Sequence, residues 1–256
     1  MVFFVGAGPG AVDLITVRGM NLLKEAGLII YAGSLVNPEF LQYAPKECEI
    51  VNSAYLTLEE VIEKIKEAES KGITTVRLHT GEPSIYGAVR EQMDELDKLG
   101  ISYESVPGVS ACFGAAASLN MEYTLPDVSQ TLIITRMEGR TPVPEKESIE
   151  SLASHRASMA IYLSAGMMQE LQERLITGGY EKETPAAIVY KATWPEEKSF
   201  ICTVGTLCET AEKNGITKIA VILVGDAVTH SKYEKSKLYS ADFSTEYRTA
   251  SATKPE

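Results

Sequence analysis

The chain opens on an apolar run that breaks into glycine and proline: MVFFVGAGPGAVD, with Gly6, Gly8, Pro9 and Gly10 ahead of Asp13. A strand ending in such a turn leaves main-chain N–H and C=O groups open to a ligand, because no Cβ stands in the way. Gly6, Gly8 and Ala11 satisfy the loose G-x-G-x-x-G/A spacing of a dinucleotide site. Two features oppose a dinucleotide. The fingerprint needs an acidic residue about 20 positions further on to hold a ribose, and here the second apolar run ends in Tyr31, Ala32 and Gly33. Pro9 also deletes one N–H from a turn that would face a pyrophosphate. The chemistry expected of this turn is close main-chain contact with a ligand that carries no phosphate.

Three further turns share the small-residue character: HTGEPSIYG (79–87), SVPGVSA (105–111) and YKATWPEE (190–197). Any one of them is ordinary loop chemistry. Four in one chain point to a shared ligand at the carboxyl edge of an α/β sheet. Arg136 and Arg140, in TRMEGR, are suited to forked carboxylate contacts, or else to pairing with Glu138 or Glu145. Tyr31, Ser34, Tyr55 and Tyr86 can exchange hydrogen bonds, but none is assigned as a general base, so the catalytic group is left unassigned. Met167 and Met168 read as helix core, and Trp194 as a loop anchor.

Cys48, Cys112, Cys202 and Cys208 form no CxxC, and His79, His155 and His230 form no HExxH or HxH pair. Reduced thiols and no bound metal are expected. The formal charge of −11 repels phosphate backbones, and the nearest basic run, KYEKSK, is interrupted by a glutamate, so no nucleic-acid partner is expected. No run reaches the ~18 apolar residues of a membrane span, and no basic region precedes the first apolar stretch. A cytoplasmic protein without a membrane partner is expected.

The elements that must position these turns alternate. Strands are expected at 2–8, 28–36, 74–83 and 102–111, with helices at 13–27, 57–72 and 86–100, the second opened by a Thr57/Glu60 capping box. Strands separated by helices of that length make a parallel sheet. Around 117–129 the pattern changes. A second α/β group follows, with TLIITR (131–136), SMAIYLSA (158–165), a helix at 167–179, PAAIVYKAT (185–193), FICTVGTLCETAEKNG (200–215) and KIAVILVGDAV (218–228). The expected division is an α/β domain at 1–117, a second α/β domain with a mixed sheet at 118–240, and a partly disordered tail at 241–256 that ends in a frayed ATKPE; the aromatics of LYSADFSTEY (238–247) are available to pin this end of the chain to the body.

GAGPG, TGEPSIYG, VPGVSA, YLSAGMM and YKATWPEE, in this order, resemble the motifs of the tetrapyrrole methylases over nearly the whole chain, to about Arg248. The resemblance implies the two-domain fold of that family (a class III methyltransferase) and S-adenosylmethionine as methyl donor, leaving S-adenosylhomocysteine. YAGSLVNPE (31–39), TRMEGRTPVPE (135–145) and SKLYSADFSTEYR (236–248) resemble the branch that methylates precorrin-4 at carbon 11, with cobalt, where present, carried by the substrate. Ala32 stands where the uroporphyrinogen III methyltransferases of the family carry an aspartate in a YDRLV segment. By resemblance, the cofactor contacts are Pro9, Thr80, Gly81, Glu82, Ile85, Ser110 and Ala111, with an adenine pocket from Leu163, Ala192 and Ala220. Glu82 replaces the family's more common aspartate, Leu163 a methionine and Ala192 a glycine. The implied substrate is a small-molecule polycarboxylate tetrapyrrole gripped by Arg136 and Arg140, and the implied assembly is a homodimer. Methylases of the same fold that act on rRNA or on a protein histidine fit less well, the first for want of a basic face.

Overall fold

The computed structural model describes residues 1–229 and 233–251, the Ser34 side chain excepted. The chain divides into two compact units. The first comprises Met1–Ser118 with Val189–Ser199 and Ile219–Val221; the second comprises Leu119–Ile188, Phe200–Lys218 and the chain from Ile222 on.

In the first unit, strands β1 (Val2–Gly6), β2 (Leu28–Tyr31), β3 (Glu49–Asn52), β4 (Thr75–His79) and β5 (Tyr103–Val106) form a sheet in the order β3-β2-β4-β1-β5. Every pairing in it is parallel, so all five carboxyl ends lie along one edge. Because side chains alternate along a strand, each strand feeds two cores. Val5, Ile29, Val76 and Leu78 pack with Leu23 and Phe40 on one face. Val2, Phe4, Leu28 and Ile30 pack on the other with Val61, Ile65, Met93 and Leu96, which come from helices α2 (Leu58–Ser70) and α3 (Arg90–Leu99). Each fully buried aliphatic side chain contributes ~1.5–3 kcal/mol of transfer free energy.

Local chemistry sets the element ends. The Thr57/Glu60 capping box is formed, and α2 gives way to Gly72 at φ +66°. The helix expected over 13–27 is shorter: Thr16 accepts the Gly19 N–H and starts α1 (Val17–Glu25). The strand expected over 28–36 stops at Tyr31, where Gly33 at φ +61° opens a 3-10 turn. The helix expected from residue 86 starts only at Arg90, because Tyr86 and Ala88 both adopt positive φ. Strand β3 and helix α4 (Ala111–Ser118) are additions to the expected elements.

The second unit is built on strands β6 (Leu132–Arg136), β7 (Ser158–Tyr162), β8 (Pro185–Tyr190), β9 (Lys198–Thr203) and β10 (Ala220–Val224), in the order β6-β7-β10-β8-β9. Strands β6 and β7 run parallel and β7 and β10 antiparallel, so this sheet is mixed, as expected. By their contacts, the last residues of β8 and the first of β10 group with the first unit. Helices α5 (Ile149–Ala153), α6 (Met168–Gly178) and α7 (Leu207–Lys213) complete the unit. Gly178 lets α6 approach α5, since a Cβ there would lie 2.6 Å from the Ala153 Cβ.

In the tail, Arg248 donates to the carbonyls of Leu238, Ser240 and Phe243 and curls the segment on itself. Tyr239 and Tyr247 remain exposed and pin nothing. His230 lies outside the described residues, as does the ATKPE terminus that is expected to fray.

Candidate functional site

At the carboxyl edge of the first sheet, the turns after β1, β4 and β5 lock together through main chain. Gly8 and Gly81 exchange both hydrogen bonds, N to O at 3.2 and 2.9 Å. A Cβ on Gly6 would lie 2.6 Å from both the Gly108 Cα and the Gly81 oxygen, and one on Gly108 would lie 2.1 Å from that oxygen. Only glycine allows three strand ends to meet this closely. Gly81 itself, at φ +59°, faces the start of α4, with its Cβ direction 3.6 Å from the Ala111 nitrogen. Glu82 holds the second and third turns in register: one carboxylate oxygen accepts the Gly108 N–H at 2.8 Å and the other the Ser84 N–H at 3.0 Å.

The fourth turn, 190–197, closes over the first. Trp194 Nε1 donates to the Pro9 carbonyl at 3.1 Å, and the Ala11 N–H donates to Thr193 Oγ1 at 3.0 Å. A Cβ on Gly10 would sit 2.0 Å from Trp194 Cδ1. From the other side, Asn37 Nδ2 donates to the Gly10 carbonyl. Helix α4 packs Gly114 against Pro9 and Thr193. Its Ser118 hydroxyl donates to Glu197, whose carboxylate also accepts the Thr193 N–H. The turn is backbone-strained: Lys191, Thr193 and Ile219 all have positive φ, and the Lys191 N–H donates to the Ile219 carbonyl at 2.9 Å. Such conformations cost about 1–3 kcal/mol each and persist where surrounding contacts over-determine them. The Lys191 ammonium lies 4.8 Å above the Trp194 ring, adding a cation–π contact.

The structure therefore brings Pro9, Thr80, Gly81, Glu82, Ile85, Ser110 and Ala111 to one edge. It sets Ala192 and Ala220, both buried, beside the strained pair Lys191 and Ile219. Leu163 belongs to the second unit, after β7, where its φ of +53° and 62% exposure are unusual for a leucine.

Beneath the turns, the face of β4 that meets α3 is polar. Arg77 is 5% exposed; its Nε donates to Gln92 Oε1 at 2.8 Å and its Nη1 to the Ile30 carbonyl at 2.9 Å. Burial pushes this guanidinium down to about 10. His79, 3% exposed, ends the strand against the Phe4 ring, and its Nε2 has no hydrogen-bond partner. Burial, reinforced by the Arg77 charge, lowers its pKa to about 3, so the imidazole is neutral. Sequence reading missed this pair, because Arg and His inside TTVRLH resemble the outward face of a half-buried strand.

In the second unit the two candidate arginines differ. Arg136 turns inward on its own loop, its Nη1 donating to the carbonyls of Met137 (3.0 Å) and Thr141 (3.2 Å) and its Nη2 to that of Pro142 (2.9 Å). Arg140 is exposed and makes no hydrogen bond or ion pair among the described residues. Glu138 pairs with neither. It meets Arg174 on α6 at 2.7 Å. A cavity of about 640 Å³ elsewhere in this unit is lined by Met167, Met168, Glu170, Glu173, Cys208 and Glu212, and its acidic wall suits no polyanion. All four cysteines are free thiols, with burial raising Cys48, Cys208 and Cys202, the last to about 11.

A family profile of tetrapyrrole (corrin/porphyrin) methylases matches residues 1–208. This chain belongs to the tetrapyrrole methylases. Among methylases of this family it is similar to a cobalt-precorrin-4 C(11)-methyltransferase of Methanocaldococcus jannaschii, at 52% identity over 96% of this chain and 95% of the relative. It is similar as well to a precorrin-4 C(11)-methyltransferase of Mycobacterium tuberculosis, at 43% identity over 93% of this chain and 96% of the relative. A solved methylase, described as the cobalamin biosynthetic enzyme cobalt precorrin-4 methyltransferase, superposes with a TM-score of 0.87 at 43% identity, covering 89% of this chain and 95% of that one. No helix among the described residues of this methylase is long and apolar enough to cross a membrane.

Proposed function

We propose that this tetrapyrrole methylase transfers a methyl group from S-adenosylmethionine to carbon 11 of precorrin-4 in cobalamin biosynthesis, releasing S-adenosylhomocysteine. The observation that carries the reading is its end-to-end similarity to relatives named for that reaction. Relatives named for cobalt-precorrin-4 and for precorrin-4 are both similar to this chain, so any cobalt belongs to the substrate.

The first unit's turns suit the donor. Gly6, Gly8, Gly81 and Gly108 draw the turns into one compact edge, Pro9 removes an anion-binding N–H, and no carboxylate takes the ribose position of a dinucleotide site. Pro9, Thr80, Gly81, Ile85, Ser110, Ala111, Ala192 and Ala220 are the proposed holding residues. Glu82 acts through the loop it organises, its carboxylate oxygens already accepting two N–H groups. Leu163 is proposed as a further adenine contact on the resemblance alone.

When bound, S-adenosylmethionine supplies an electrophilic methyl group on a sulfonium. The chain's own work is orientation and exclusion of water. Aligning donor and acceptor is worth roughly 7–11 kcal/mol in favourable cases, and an electron-rich macrocycle brings its own carbon nucleophile, so no protein nucleophile is required. His79, neutral and buried beneath the turns, adds no charge to repel the sulfonium. The acceptor's carboxylates need cations on a chain of net charge −11, and Arg140 is the exposed candidate. The enzyme is read as a cytoplasmic homodimer, as the family resemblance implies.

The test is turnover with isotope-labelled methyl donor on precorrin-4 and on its cobalt form, followed by NMR of the product. Label at carbon 11 is expected. Label at another ring carbon would assign the chain to a different methylation step, and no label from an enzyme that binds the donor would overturn the substrate.

A further inference from the structure

The loop after β6 is polar and sits at a strand end, where flexibility is the default, yet it is fastened at several independent points. Arg136 fills it from inside, donating to the carbonyls of Met137, Thr141 and Pro142. The Met137 N–H donates to Ser164 Oγ at 3.0 Å, and that hydroxyl, wholly buried, donates in turn to the Tyr162 carbonyl at 2.7 Å. Met137 is 2% exposed, and the Gly139 N–H closes a tight turn on the Thr141 carbonyl. Arg140, at the tip, shares in none of these bonds.

Glu138 is the one acid two residues from Arg140, and free it would be the nearest competitor for that guanidinium. It is held elsewhere. Arg174 draws it in at 2.7 Å and also takes Glu170 at 2.6 Å, with Glu150 at 3.7 Å. Arg174 is only 22% exposed at its side chain, and its pKa is raised, chiefly by the hydrogen bond to Glu138. One nitrogen, Nη2, holds both Glu138 and Glu170, and the planar guanidinium fixes the direction of both contacts.

We propose that Arg174 is a positioning residue that keeps Arg140 available to a substrate carboxylate by holding Glu138 out of its reach, on a loop that Arg136 shapes from within. This deepens the reading of the site as one for a polycarboxylate tetrapyrrole and rests on that reading. It also separates the two arginines: Arg140 binds, and Arg136 is structural.

Arg174→Gln releases Glu138 to pair with Arg140. The expected result is a KM for the tetrapyrrole raised up to about fivefold, the upper end for an exposed competing ion pair, with kcat and donor affinity within about twofold of wild type. Adding Glu138→Gln removes the competitor and restores KM to within about twofold, although the ion pair is still absent. A merely structural clamp predicts the reverse, because the double variant lacks it as well. Arg174→Lys covers the case where Arg174→Gln fails to fold: it keeps a cation beside Glu150 but lacks the planar guanidinium that holds Glu138, and its smaller KM rise is likewise relieved by Glu138→Gln. Failure of Glu138→Gln to rescue either variant overturns the proposal, as does equal damage to donor affinity.

Binding of uroporphyrin, a stable polycarboxylate tetrapyrrole, followed by its own fluorescence, separates this proposal from the reaction assignment. If wild type binds it and the variants rank as above, the arginine arrangement stands even where precorrin-4 is not turned over. If wild type does not bind it, the proposal falls.

Discussion

His79 should make the folded enzyme sensitive to mild acid in a way one substitution removes. Its imidazole is 3% exposed, its Nε2 has no partner, and it lies within the field of the buried Arg77, so its folded pKa is about 3 against 6.5 for the free group. The folded value is depressed, so below pH 6.5 the unfolded chain binds the proton and the folded chain does not. Stability is therefore lost as pH falls through 6.5, and the loss levels off only near pH 3. At pH 5 the unfolded imidazole is almost fully protonated and the folded one almost wholly neutral, which gives a loss of about 2 kcal/mol relative to pH 8. His79→Phe keeps a ring against Phe4, forfeits no hydrogen bond at Nε2, and abolishes the titration. Urea unfolding of both proteins at pH 8 and pH 5 yields a double difference in which every other titrating group cancels. The expected value is about 2 kcal/mol, with the variant the less acid-sensitive. Parallel pH profiles, or a His79 imidazole NMR signal that titrates near pH 6.5 in the folded protein, would refute the reasoning.

Gly10→Ala places a methyl 2.0 Å from Trp194 Cδ1 and must displace the ring that bonds the Pro9 carbonyl. A loss of about 1–3 kcal/mol in stability is expected, with a red-shifted emission from Trp194, the only tryptophan. Glu82→Gln leaves one acceptor oxygen where Gly108 and Ser84 each now have one; thermal unfolding should report a cost of about 1.5–3 kcal/mol, the worth of a charge-assisted bond.

Much of this arrangement was legible in the sequence because it depends on residue types with few alternative uses. The alternation of strands and helices fixes a parallel sheet, and the glycine turns do gather at its carboxyl edge; but where the sequence predicts Gly8 and Gly81 main chain open to a ligand, the folded turns spend those groups on each other. The Thr57/Glu60 cap appears as read, and Trp194 is the loop anchor its setting suggested. Strand β3 escaped notice because it is an edge strand with no buried residue in ECEIVN, so no two-residue alternation marks it. Helix α4, ACFGAAAS, is rich in small residues and has no apolar stripe to betray it. What sequence could not show are partners distant along the chain. Thr193 on Ala11, Asn37 on Gly10 and Arg174 on Glu138 depend on the folded path. The same holds for the difference between Arg136 and Arg140, two identical residue types in one six-residue segment.

The claim on which the rest stands is that the turns after β1, β4 and β5 hold a phosphate-free adenosyl donor through main chain. Titration calorimetry with S-adenosylhomocysteine and, separately, with NADH tests it most directly. Saturable binding of the first, weakened in Gly10→Ala, and no heat from the second is the predicted result; tight NADH binding without response to S-adenosylhomocysteine would contradict it.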